Sequence, residues 1–136
     1  MSDTFSKEEK AAMKAAAAEA KAVKAGADLE EACLAAIAEM SGTDKELAET
    51  LHQLVTSHTT LAAKTWYGMP AYANADGKVV VFFQSSAKFK VRYATIGFQP
   101  DANLDEGNLW PTSFAVTKLT AADQKNLVAL LKKAVG

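Results

Sequence analysis

The alternation Lys88-Phe89-Lys90-Val91-Arg92-Tyr93 is the stretch of this chain whose residue types and spacing best suit binding chemistry. Successive side chains of an extended strand point to opposite faces, so the pattern sets cations on one side and apolar groups on the other. Two uses of such a face compete. Lys88, Lys90 and Arg92 would serve as the solvated side of a half-buried or edge strand, where lysines also oppose edge-to-edge aggregation. Alternatively they would line an anion-binding surface beside Trp66, Tyr67, Met69, Tyr72 and Trp110, whose side chains supply apolar walls while the cations fix an acidic ligand.

Other constellations are weaker. His52 and His58 lie six residues apart, about 240° around a helix, and Cys33 falls on the core face of a different helix, so no zinc site is expected. The loop Asp101-Ala102-Asn103-Leu104-Asp105-Glu106-Gly107 begins like a calcium loop. Its glycine comes one residue late, and Thr112 stands where a bidentate Glu should close the shell. Ser85, Ser86 and Ser113 lack a glycine-flanked nucleophile elbow, and Gly68, Gly97 and Gly107 are too isolated to cradle phosphate. No catalytic residue, metal or cofactor is expected.

The elements that must position these residues follow from periodicity and caps. An Ala-rich helix runs from an N-cap at Ser6 to a stop at Gly26. Asp28 with Glu31 caps a second helix carrying Leu29, Cys33, Ile37 and Met40, and Thr43 with Glu46 forms a capping box for a third carrying Leu47, Leu51, Leu54, Val55 and His58. Trp66-Tyr67-Gly68-Met69-Pro70 marks the entry into sheet; because Pro70 lacks an N–H, it belongs at a strand start, an edge or a bulge. That kinked entry reads as a pocket wall or as the plain passage from helix to sheet. Asn74-Ala75-Asp76-Gly77 is a hairpin turn and Lys78–Gln84 a central strand, with both faces apolar. Phe89–Phe98 and Ser113–Thr117 read as further strands, and Thr120 with Asp123 caps a final helix whose Leu127, Leu130, Leu131 and Ala134 face the sheet. The fold expected is α+β: N-terminal helices, an antiparallel β-sheet of about four to five strands, and a C-terminal helix packed on that sheet.

Composition bounds the rest. At 136 residues with 49% hydrophobic and 23% charged residues, the chain suits one domain spanning 1–136, with 1–27 as a peripheral helix. A net charge of −1 argues against nucleic acid as partner. One cysteine cannot form an internal disulfide, no signal-peptide pattern opens the sequence, and no apolar run approaches the roughly 20 residues that span a bilayer, so a cytoplasmic protein without a membrane partner is expected.

The segment Lys64-Thr65-Trp66-Tyr67-Gly68-Met69-Pro70-Ala71-Tyr72, followed by Gly77-Lys78-Val79-Val80-Val81-Phe82-Phe83-Gln84-Ser85, Lys88-Phe89-Lys90, Arg92-Tyr93 and Leu109-Trp110-Pro111, resembles the YdhG-like bacterial domain-of-unknown-function family. The resemblance covers a core of about 43–136 and leaves the Ala-rich helix outside. It implies helices packed on an antiparallel sheet. Some members are called frataxin-like intracellular iron chaperones, which need exposed carboxylates for a hard cation. Here Asp101, Asp105 and Glu106 are the place to look, and they form no dense acidic ridge. The functional expectation is a non-enzymatic binding domain for a small acidic or aromatic ligand or a protein partner, with an iron chaperone and an enzyme of unrecognised site as alternatives. Oligomeric state is left open.

Overall fold

The computed structural model describes residues 7–24 and 28–136, the side chains of 18–24 excepted. The expected Ser6 cap and Gly26 stop lie outside the described residues. The order is α1 (Lys7–Lys24), α2 (Leu29–Ala38), α3 (Gly42–His58), β1 (Ala62–Trp66), β2 (Met69–Ala73), β3 (Val79–Gln84), α4 (Ser86–Phe89), β4 (Ala94–Phe98), β5 (Ser113–Val116) and α5 (Ala121–Ala134). The strands form one antiparallel sheet in the order β1-β2-β3-β4-β5. The fold is α+β as expected, with β3 at the centre of the sheet.

Caps set by near neighbours form as the sequence dictates. Asp28 accepts hydrogen bonds from the Glu30 and Glu31 amides, and Thr120 with Asp123 closes a capping box on α5. Asn74 Oδ1 accepts from the Asp76 and Lys78 amides, and Gly77 takes φ +79° in the β2–β3 turn. The Thr43–Glu46 box is absent: α3 starts two residues earlier, with Ser41 as an N-cap that makes no side-chain bond.

The pleat sorts the sheet into two faces. Ala63, Tyr72, Val81 and Phe98 are cross-strand partners in one row, and Phe83, Ile96 and Phe114 relate in the same way on the same face. Their buried members pack with Cys33 and Ile37 of α2, Leu51 and Val55 of α3, and Leu127 and Leu131 of α5 into one core. The opposite face carries the row Lys64, Ala71, Phe82, Gly97, Ser113.

Two expectations about the sheet are corrected. Trp66-Tyr67-Gly68-Met69-Pro70 is not an entry from helix to sheet; it is the tip of the β1–β2 hairpin, with Trp66 paired to Met69 across the two-residue loop Tyr67-Gly68. Both loop residues have positive φ, +53° and +80°, the type I′ geometry that matches strand twist. Pro70, second in β2, is tolerated near that strand's start. Residues 89–93 are not strand: Ser86–Phe89 is one helical turn, Lys90 closes it at φ +54°, and β4 begins only at Ala94. The cause is Asp44 of α3, buried, whose carboxylate accepts from the Ser86 amide at 3.0 Å, the Ser86 hydroxyl at 2.8 Å and the Ala87 amide at 3.0 Å. Those bonds cap the turn from another element and replace the ladder that a strand would have used.

Candidate functional site: the tip of the first hairpin

With residues 89–93 folded as a turn and bend, the alternating cation face on which Lys88, Lys90 and Arg92 were expected to stand together does not form. Lys88 reaches the hairpin tip, where a Cβ on Gly68 would come 2.7 Å from its Nζ. Lys90 turns to α1 and pairs with Glu8 at 2.9 Å, and that bond holds the Glu8 carboxyl below its usual range. The Arg92 guanidinium lies 5.0 Å from the Tyr93 ring centroid, a stacking contact with its own neighbour.

The aromatic residues also divide. Trp66 meets Tyr67 edge-on at 5.1 Å between centroids and Phe82 at 5.3 Å, so three rings adjoin at the tip. Phe82 was read only as one of the apolar residues of the central strand. Its site role was legible, because Trp66 and Phe82 fall on the same face once β1 pairs with β2, but β1 had first to be seen as a strand. The far end of the Phe82 ring lies against Gly97, where a Cβ would run into it; the glycine leaves the room the ring occupies. Trp66 and Phe82 are half-buried, and Tyr67 is 44% exposed. Lys64, two residues before Trp66, shares their face beside Ala71. Ala15 of α1 packs at the tip as well, 3.2 Å from where a Gly68 Cβ would stand.

Three expected site residues do not join the open platform, and two of them lie elsewhere. Met69 pairs with Trp66 and so shares the platform's face, but it is buried and offers no open surface. Tyr72 points into the core, fully buried, with its hydroxyl 3.0 Å from His52 Nδ1 and 4.0 Å from Cys33 Sγ. Pairing with Ala63 and Val81 commits it to the helical face, opposite Lys64 and Phe82. Trp110, in the β4–β5 connection, lines a separate cavity of about 400 Å³ with Phe98, Ala102 and Leu104. The chain's acids do not converge: among the described residues no three His, Cys, Asp or Glu side chains gather in a metal-holding group, and Glu106 pairs with Lys133 at 3.3 Å.

Fold and tip together define an α+β domain with a small aromatic platform edged by lysines. Comparison of the chain with protein-family models, curated proteins and solved structures gives no match. Among the described residues no helix is long and apolar enough to cross a membrane.

Proposed function

We propose that the chain is a non-enzymatic binding domain, acting in the cytoplasm, that takes a small ligand carrying a flat aromatic group and an anionic group at the tip of the first hairpin. The observation that carries this reading is the contiguity of Trp66, Tyr67 and Phe82, half-buried to exposed, with Lys64 and Lys88 beside them. A ring offers a stacking face for a planar group, and a lysine ammonium is a mobile point charge for an anion. Tyr67 supports the reading further. A tyrosine in the left-handed region costs about 1–2 kcal/mol, and Asn or Gly would fill the turn without that cost. The ring stands edge-on to Trp66, and its 44% exposure leaves part of it open to a ligand.

The resemblance to YdhG-like domains belongs to the same proposal and is carried in part by the same segment, Trp66 to Tyr72. No observation favours its iron-handling branch. The test is titration of 1-naphthoate into the 15N-labelled chain. Saturable shifts are expected at the Trp66 indole and the Gly97 amide, with affinity reduced about fivefold by Phe82→Ala and further by Lys64→Ala with Lys88→Ala. Raised salt should weaken binding to the parent chain more than to the double lysine variant. Shifts that never saturate, or an affinity indifferent to Phe82 and both lysines, would overturn the proposal.

A further inference from the structure

β5 is an edge of the sheet: among the described residues only β4 pairs with it. The Phe98 amide donates to the Thr112 carbonyl at 2.7 Å, and in an antiparallel ladder bonded pairs of that kind recur at every second residue. Ile96 with Phe114 and Ala94 with Val116 continue the series, so Thr112, Phe114 and Val116 turn their N–H and C=O groups to β4. Ser113, Ala115 and Thr117 turn theirs outward, and all three residues are exposed. The other edge is guarded, since β1 carries Lys64 and has α2 and α1 packed against it. Between Ser113 and Val116 there is no charge, proline or bulge to blunt pairing. Beside this open edge lies a cavity of about 470 Å³, walled by Ile96, Phe114 and Val116 on the sheet and by Leu127 and Leu130 on α5.

We propose that β5 pairs antiparallel with β5 of a second copy of this chain, about a two-fold axis at Ala115, so that two sheets join into one. The outward groups dictate the register. Ala115 faces Ala115 of the second copy and exchanges two hydrogen bonds with it, while Ser113 of each copy faces Thr117 of the other. The side chains agree with this symmetry. Phe114 and Val116 stand on the helical face, so each Phe114 lies opposite a Val116, an aromatic against a β-branched residue, beside the two apolar cavities. On the other face Ser113, Ala115 and Thr117 are small and leave room for close approach. No like charges meet, because residues 113–117 carry none and Lys118 falls opposite Thr112. The axis also sets α5 antiparallel to its copy across the junction, so the Asp123 end of one helix points toward the Lys132 and Lys133 end of the other, which is the favourable order. The segment is thus its own complement, and that favours a second copy over a foreign strand.

Sedimentation equilibrium of the full chain from about 1 to about 500 μM should show reversible passage from one copy to two. Ala115→Pro removes only an N–H that points outward, a place where an edge strand accepts proline. Circular dichroism and the urea midpoint should therefore stay near those of the parent, while the dimer dissociation constant rises about tenfold or more. Ala115→Lys and Ala115→Glu should each weaken the dimer, because each sets like charges face to face across the axis, and mixing the two should restore pairing as a heterodimer. A chain that is monomeric throughout the range would leave the edge to an extended segment of another protein, and it overturns the proposal. So does a dimer that Ala115→Pro leaves intact, or a mixture of the Lys and Glu variants that pairs no better than either alone.

Discussion

At the scale of single residues, Asp44 matters most to the shape of the hairpin-tip surface without touching it. Its carboxylate makes three hydrogen bonds to the Ser86–Ala87 turn, and the alternative is a buried charge with no partner. Burial raises its pKa, but the Ala87 and Ser86 bonds together outweigh that and hold the carboxyl below its ordinary value. Asp44→Ala leaves the turn's first amides uncapped and is expected to cost about 2–3 kcal/mol in urea unfolding. The same variant should move Lys88 away from Gly68, seen as a shift of the Gly68 amide resonance. A loss below about 0.5 kcal/mol with an unmoved Gly68 amide would show that the turn forms without its cap.

At the scale of elements, the platform depends on strand pairing rather than on any one strand. Phe82 on β3 rests on Gly97 of β4 and meets Trp66 of β1 across β2. Gly97→Ala forces the ring to move, and overpacking of this kind costs about 1–3 kcal/mol. Paired with Phe82→Ala, the same substitution should cost markedly less, because the clashing ring is gone, so a double-mutant cycle should return a coupling above about 0.5 kcal/mol. Additive effects would mean that the ring does not sit where described. The hairpin tip illustrates the same dependence. Tyr67 gains its neighbours only because β1, five residues of which four are small or polar, pairs with β2.

At the scale of the whole molecule, the buried polar groups predict how stability follows pH. Burial lowers the pKa of His52 below 6.5, so the folded state binds fewer protons than the unfolded one near that pH. Stability is therefore full above about pH 6.5 and falls as pH drops through that value toward the folded pKa. Asp44 and the cap residue Asp123 both have lowered values, so their contributions persist above about pH 3.8 and are lost as pH falls below it. Urea midpoints measured from pH 3 to pH 8 should show two descents on acidification, the upper abolished by His52→Gln and the lower reduced by Asp44→Ala. An upper descent unchanged in His52→Gln would assign it to another group.

What the sequence by itself determined was a set of features whose partners lie within a few residues, the Thr43–Glu46 box and the Tyr67-Gly68 turn excepted. Asp28 caps α2, Thr120 and Asp123 cap α5, Asn74 and Gly77 turn the chain, and the apolar spacing of α3 places its core face. These are local contacts, and they form with little loop to close. The tertiary structure alone decided the rest. Asp44 overrode the alternating pattern of 88–93 from 42 positions away, an influence that strand periodicity cannot register. Tyr72 shared an expected surface with Trp66 until the register of β1 with β2 set the two on opposite faces, where a shift of one residue would have reversed them. Cys33 and His52 looked unrelated on separate helices, 19 positions apart, and only the packing of α2 and α3 against β2 brings both to the same tyrosine. Spacing along a chain reports which side of an element a residue occupies, while the neighbour across the gap is chosen by how the elements pack.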